Sequence, residues 1–524
     1  MSRLRKLIGE VHRRSLWQVL ATVRHRSVVA CECCLALLTA VGCGRGEDPA
    51  YSRGSTVTVA YCCGPAAFNP STEMPAKFLV FMPLVSSDED GNLQGRLARR
   101  WEYSPDRREV TYHLRTDVRW HDGVPVTAHD IKFTLELLAH PDVQDLPPGY
   151  LEAVTVVDDS TVTVRSTRWS DEDELWRVYY PKHLLGDLDP KEFFDWEFWS
   201  HPVGSGPYRF VRYMPETMME FEATPDYYRG KPRIERVVLK FVAGAELPEL
   251  LSGNVDAATY IKSVQIPKLA SDPRFRVYHE IAPGWAHAIW WQNEHPLFSD
   301  RRVRRALTLA INRRELLQVI NLPDDIPVFD GPYTSRQLRR GELAEPLPHD
   351  PARAQALLDA AGWLDRDGDG VRERDGAEFK FTAIVPAQSA SGYKEIALYV
   401  QGQLRRIGVR MEVQYLDGGL VNSRVMAGDF EAAFGNYGHE WMRRYFGQGY
   451  PLGYKNAEVV RLIDRLQATV HPDAKDRIYG ELMEIFRADL PVTFLFSRAI
   501  THVVHRRIQG LRSPYRTDPV WYME

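Results

Sequence analysis

The sequence predicts an α/β protein divided into more than one domain, and three observations carry that prediction. Its 524 residues exceed what one hydrophobic core organises, since cores stop growing near roughly 250–300 residues. Strand and helix periods alternate through the C-terminal half, as in an α/β lobe. Between Asp88 and Trp199 the pattern changes to short alternating strands around one helix, which marks a small α+β unit.

The chain opens with Met1–Ser27, rich in Arg and Lys, then an apolar run from Val28 to Val41 interrupted by Cys31, Glu32, Cys33 and Cys34. A run of about 14 residues is too short to cross a bilayer, which takes roughly 20, so this reads as a secretory leader with a long basic region. It ends Ala-Val-Gly-Cys, which resembles a bacterial lipobox and makes Cys43 the residue expected to carry a lipid. Cleavage there leaves Cys62 and Cys63 in the folded body, and no chemistry is assigned to them. Gly44–Gly54 has the composition of a flexible tether.

Thr56–Tyr61 alternates apolar and polar residues and is the expected first strand. Strands at Val110–Leu114, Leu151–Val156 and Thr161–Val164 accompany a helix at Ala128–Leu138, whose start is marked by the Thr127–Asp130 capping pattern. Strands follow at Tyr208–Tyr213, Thr217–Glu222 and Arg236–Val242, then a helix at Glu246–Ser252. In the stretch Ala288–Leu317, the aromatic strand Ala288–Gln292 gives way to Val303, Ala306, Leu307, Ala310 and Ile311 at helical spacing. Ser299 or Asp300 stands there as the N-cap. Asp350 caps a helix from Pro351 to Ala361 ended by Gly362, and strands Lys380–Val385 and Arg410–Tyr415 flank a helix at Ile396–Ile407.

Composition narrows the partners. With 44% hydrophobic and 26% charged residues the folded body is an ordinary globular one, and a formal net charge of -4 gives no reason to expect nucleic acid. Trp-His-Asp-Gly at Trp120–Gly123 is tempting as a metal or catalytic site. Neighbours on an extended strand point to opposite faces, however, so His121 and Asp122 do not converge on one ion, and Asp-Gly reads as a turn. Gly-Ser-Gly-Pro within Val203–Tyr208 is neither a nucleophile elbow nor a phosphate loop. It reads as a structural crossing whose Gly204 and Gly206 are free to take positive φ. Asp365, Asp367, Asp369 and Gly370 match positions one, three, five and six of a calcium loop, but Gly376 stands where the bidentate Glu belongs. A tight polar turn is expected there, with calcium the lesser alternative, and no cofactor is expected.

The order Asn293, Pro296, Phe298, Asp300, Arg301, Val303, Arg304, Ala306, Leu307, Ala310, Ile311, Arg313 resembles the hallmark segment of a known family. That family is the extracytoplasmic solute-binding proteins of ABC importers, of the oligopeptide, dipeptide and nickel class (family 5). Leu97–Leu137, Val203–Tyr208, Pro351–Gly376, Leu404–Val413 and Asp489–Thr493 with Gln509–Ser513 match in the family's chain order, covering nearly everything after residue 55. The resemblance implies a periplasmic-binding-protein-like fold of type II, two-lobed with an extra small α+β domain. Residues 1–43 are then signal and lipobox, 44–54 the tether, 55–87 and 200–280 parts of the first lobe, and 88–199 the accessory domain. Residues 281–488 form the second lobe, and 489–524 return to the first.

It also implies a ligand cleft between the lobes. Tyr61 and Phe68, near the first strand, are candidates for one wall, with a core aromatic and an ordinary turn as the alternatives. Trp285, Asn436, Tyr437, His439, Glu440 and Trp441 are candidates for the other. In peptide-binding relatives an acidic residue after this last strand pairs with the peptide amino group; Glu440 falls nearest, though the family's downstream Asp-Pro pattern is missing. His439 is the alternative contact for nickel or haem.

The function expected is that of a binding protein, not an enzyme: capture of a peptide or similar small-molecule ligand by hinge closure and delivery to an ABC permease. The protein is expected as a monomer on the extracytoplasmic face, held to the membrane through its lipid anchor. A secreted metal hydrolase is the rival from another class, and no His-Glu-x-x-His or triad signature stands in the sequence for it. A ligand sensor that kept the fold is the third reading.

Overall fold

In the computed structural model the described residues are 55–61, 76–87, 93–143, 145–146, 149–167, 177–242, 244–259, 261–333, 337, 340–387, 392–438, 442–447, 451–469 and 471–509. The expectations placed on the leader, Cys43, Cys62, Cys63, Phe68, His439, Glu440 and Trp441 lie outside them.

Ten strands form one mixed sheet. Numbered along the chain they are β1 (Thr56–Tyr61), β2 (Tyr208–Met214), β3 (Met218–Ala223), β4 (Arg236–Phe241), β5 (Ala257–Ala258), β6 (Phe275–Trp291), β7 (Lys380–Pro386), β8 (Arg410–Leu416), β9 (Ala432–Gly438) and β10 (Val492–His505). Their order across the sheet is β8-β7-β9-β6-β10-β5-β1-β4-β3-β2. The sheet is two half-sheets sharing the antiparallel ribbon β6–β10. At one end of the ribbon β9 pairs with β6 from Trp285 to Trp291, and at the other β5 pairs with β10 at Val503 and Val504.

The ribbon breaks register twice. At the larger break, pairing passes from Ile281–Ala499 to Ala286–Ser497, so Ala282–Trp285 of β6 stand against Arg498 alone. Such bulges bend a strand and interrupt its ladder of hydrogen bonds.

Both half-sheets are covered on both faces, which the strand period makes visible. In β6, Ile289 and Trp291 join the core beneath the helices Arg301–Ala310, Pro351–Ala360 and Tyr393–Arg405, while Ala286, Ala288 and Trp290 join the core beneath Ala457–Ala468 and Pro472–Asp489. In β1, Val57 and Val59 face one core and Ala60 the other. A separate four-stranded sheet (Ala98–Tyr103, Glu109–Leu114, Thr161–Ser166, Leu151–Asp158) packs with the helix Ala128–Leu138, and its Tyr112, Val162 and Val164 belong to the same core as Val57.

Asp300, not Ser299, caps the helix Arg301–Ala310, accepting from the Arg302 amide at 2.8 Å. The buried Arg304 reaches back from this helix to the carbonyl oxygens of Phe298, Asp489 and Leu490. Gly204 and Gly206 do not take positive φ, contrary to expectation. They are needed for closeness: a Cβ on either would overlap the backbone at Leu79 and Val80, to which Gly206 is hydrogen-bonded. Among the described residues no helix is long and apolar enough to cross a membrane.

Candidate functional site

The larger break in the ribbon is where the two half-sheets present their carboxyl ends. In one half, β1 runs parallel to β4 and β5; in the other, β7 runs parallel to β8 and β9. Following the register from Ala60 through Ala258 to Val503 puts Tyr61 level with His502. Four residues of β10 then separate it from Arg498, roughly 13 Å at ~3.3 Å per residue. From the other half, β9 ends at Gly438 opposite Trp285. Thus β1 and β9 approach Ala282–Trp285 and Arg498 from opposite ends, carboxyl ends first, which is where open α/β sheets bind ligands.

The side chains at the break form a polar seam. Trp285 and Arg498 are both half-buried, with the guanidinium carbon 5.5 Å from the indole centroid. Asn436 pairs in register with His287, and the Tyr393 hydroxyl joins them: it donates to Asn436 Oδ1 at 2.9 Å and lies 3.1 Å from His287 Nδ1. Having given its proton to Asn436, Tyr393 accepts here, which fixes His287 as the Nδ1–H tautomer. Burial pushes the His287 pKa down to about 3, with the Arg498 charge adding to the effect; burial raises that of Tyr393, Arg498 opposing. On the neighbouring strand, the Ser497 hydroxyl meets that of Tyr333 at 2.8 Å, and burial pushes the Tyr333 pKa up to about 12.

The candidates separate by face. Trp285 and Asn436 sit half-buried at the seam, and Tyr61 ends β1 with its ring 6.3 Å from that of Phe241. Tyr437, one residue along from Asn436, points to the opposite face. It is 2% exposed and packs edge-on against Phe494 at 5.0 Å, within the core that also holds Phe446 and Phe486.

Trp120–Gly123 is a turn, closed by the Gly123 amide donating to the Trp120 carbonyl at 2.8 Å, and in it His121 and Asp122 diverge. Gly204 N–H donates to His121 Nδ1 at 3.2 Å, so Nε2–H donates to the Gly206 carbonyl at 3.0 Å, and burial pushes the His121 pKa to about 4. Asp122 turns away to His183 at 2.7 Å. In the acidic turn, Asp365 accepts from the Gly368 and Gly370 amides and Asp369 from that of Val371. The carboxylates that converge there are Asp365, Asp367 and Glu373, with Glu373 in place of Asp369 and its own oxygen accepting from the Arg366 amide.

Five seam residues were not singled out from the sequence: His287, Tyr393, Arg498, Ser497 and Tyr333. His287 lies in an apolar run and Tyr393 between polar residues after Gly392, and neither gives a further sequence signal. Arg498 does, being the sole Arg, Lys, Asp or Glu in the 14 residues of β10.

Known proteins agree with this architecture. The chain is 29% identical over 410 residues, 75% of each chain, to a putative ABC transporter peptide-binding protein of Brucella ovis. Its structure matches the oligopeptide-binding protein AppA of Bacillus subtilis in complex with a nonapeptide (TM-score 0.69, 22% identity, 90% of this chain and 98% of that one). It also matches NikA of Brucella suis in complex with Fe(III)-EDTA (TM-score 0.76, 18% identity, 90% and 99%). At those identities the two structures establish the two-lobed α/β fold. The profile of bacterial extracellular solute-binding proteins, family 5 (middle region), matches residues 92–455, a span that includes the small sheet, the Gly-Ser-Gly crossing and β6 through β9. The chain belongs to the bacterial extracellular solute-binding proteins of family 5, the substrate-binding proteins of ABC transporters.

Proposed function

We propose that this protein captures a peptide or similar small solute between its two half-sheets and delivers it to an ABC permease by closing about the β6–β10 ribbon. Residues 55–87, 200–280 and 489–524 act as the first lobe, 88–199 as its accessory domain and 281–488 as the second lobe. The protein works as a monomer on the extracytoplasmic face, held by a lipid on Cys43. The observation that carries the reading is the convergence of the carboxyl ends of β1 and β9 on the register break at Ala282–Trp285.

A ligand touching both halves stabilises the closed form only through contacts absent from the open one. A ladder-poor ribbon between two rigid sheets is a hinge of the kind such closure uses. Tyr61, Trp285 and Asn436, with Phe68, His439, Glu440 and Trp441, supply the walls. A peptide is held mainly by main-chain hydrogen bonds along strand ends, which tolerates side-chain variety. Native mass spectrometry of protein purified without refolding tests the ligand class: a bound mass distribution of short peptides supports it, and a single metal-chelate or sugar mass overturns it.

A further inference from the structure

Arg498 occupies an unusual position for a charge. It lies in the interior stretch of β10, flanked by Ser497 and Ala499, and stands alone against the four-residue bulge of β6. Among the described residues no carboxylate lies within ion-pair distance of it, whereas Arg313, Arg507 and Arg274 are matched by Asp330, Asp256 and Asp272, and the buried Arg304 is satisfied by backbone carbonyl oxygens. Its one ring contact is the indole of Trp285. Around it the polar groups are already committed: His287 to Tyr393, Tyr393 to Asn436, and Ser497 to Tyr333. A half-buried guanidinium without a counter-ion has lost part of its hydration, and an anion that reaches it restores what was lost. Set over an aromatic ring, a guanidinium keeps its N–H edges available, and that planar fork matches a carboxylate.

We propose that Arg498, backed by Trp285, is the anchor for a carboxylate on the captured solute, so that only ligands with an accessible anionic end hold the two halves closed. This deepens the function proposed above and rests on it. The chemistry is shared by the free C-terminus of a peptide and by the carboxylates of an amino-acid metal chelate, and the test separates these sources.

Binding is measured by calorimetry on the full chain with four probes: a pool of tri- to pentapeptides with free C-termini, the same pool C-terminally amidated, nickel with histidine, and neutral oligosaccharides. Wild type, Arg498→Gln and Arg498→Lys are compared, with thermal melting as the check on folding. The free-acid pool is expected to bind on the order of 10- to 100-fold tighter than the amidated pool, the factor for one charge-assisted pair. Arg498→Gln erases that difference, and Arg498→Lys, which keeps the charge but not the fork, retains part of it. Should the glutamine variant not fold, the lysine variant decides: a reduced acid-over-amide preference in a folded protein supports the anchor, since a structural residue would not move it, and an undiminished preference overturns it. Equal binding of both peptide pools by wild type overturns the carboxylate anchor while leaving the peptide reading intact. Binding of nickel-histidine alone, lost in Arg498→Gln, keeps the anchor and overturns the peptide reading. Binding of the neutral sugars, or of nothing, overturns both.

Discussion

The guanidinium of Arg498 faces the ring of Trp285 across the widest register break in the ribbon that joins the two half-sheets, 5.5 Å from the indole centroid. A strand on one side of the break and an aromatic on the other are thus linked by a contact that carries no backbone hydrogen bond. Cation–π pairs at such half-exposed sites contribute about 0.5–1 kcal/mol, enough to favour one hinge geometry without locking it.

The backbone at that break depends on Gly284, whose φ is +77°. A β-branched side chain there is forced into the left-handed region at roughly 1–2 kcal/mol. Thermal denaturation is expected to order the variants wild type above Gly284→Ala above Gly284→Val. A valine variant as stable as wild type means that the bulge relaxes at no loss and is not a fixed hinge.

Lowering the pH is expected to destabilise the protein through its buried histidines. The His287 pKa stands at about 3 and that of His121 at about 4 in the folded chain, against 6.5 when exposed. Between those values the unfolded chain takes up protons that the folded one refuses, so stability is full above pH 6.5 and falls as the pH drops toward 4. Each such histidine then withdraws about 2 kcal/mol by pH 5, from 1.5 units at 1.36 kcal/mol per unit. Urea denaturation at pH 7 and pH 5 checks this: His287→Asn, which keeps a donor for Tyr393, is expected to shrink the difference by about that amount. An unchanged pH dependence contradicts the burial assigned to His287.

Arg313 and Asp330 form the most deeply buried ion pair described, 4% and 2% exposed, joined at 2.6 Å. Arg313 further donates to the carbonyl oxygens of Phe329, Leu347 and Phe494, tying the start of the helix Arg313–Val319 to β10. Asp330→Ala leaves that charge unmatched and is expected to lower stability by about 3–5 kcal/mol, while Arg313→Met with Asp330→Leu together is expected to lose less than the single change. Denaturant unfolding of the three proteins tests it, and a double variant worse than Asp330→Ala refutes the assignment.

Gly204 offers a sharper steric test. Because any Cβ there meets the Val80 carbonyl, Gly204→Ala is expected to lose more than about 2 kcal/mol, whereas the same change at Gly402, with open space around it, is expected within about ±1 kcal/mol. Equal melting temperatures for the two variants contradict the close crossing.

Much of the architecture was legible because period and punctuation agree. The helix Ala128–Leu138 appears with the predicted bounds, since Thr127 and Asp130 form its capping box and Ile131, Leu135 and Leu138 line one face. The strands of the second half-sheet likewise follow from short apolar runs closed by turn residues. The N-terminal half of β6 was not legible: Phe275–Trp285 carries His279, Glu280, Pro283 and Gly284, which read as loop, and the pairing of Phe275–Ile281 with β10 and of Trp285 with β9 makes it strand. The helix Pro472–Asp489 escaped because its apolar face is mixed with many charges.

Of the site, the aromatics were visible as residue types, but which face each one takes is set by register. That is why Asn436 reaches the seam while Tyr437 turns into the core. Arg498 was hidden for the opposite reason: one arginine in a long apolar strand means little until the residues opposite it are known.

Small-angle scattering of the full chain with and without the free-acid peptide pool tests the central claim most directly. A fall in the radius of gyration on saturation, diminished in Gly284→Val, is the result this account predicts. Saturable binding by calorimetry with an unchanged scattering profile is the result that contradicts it, because the solute then sits in the protein without drawing the two halves together.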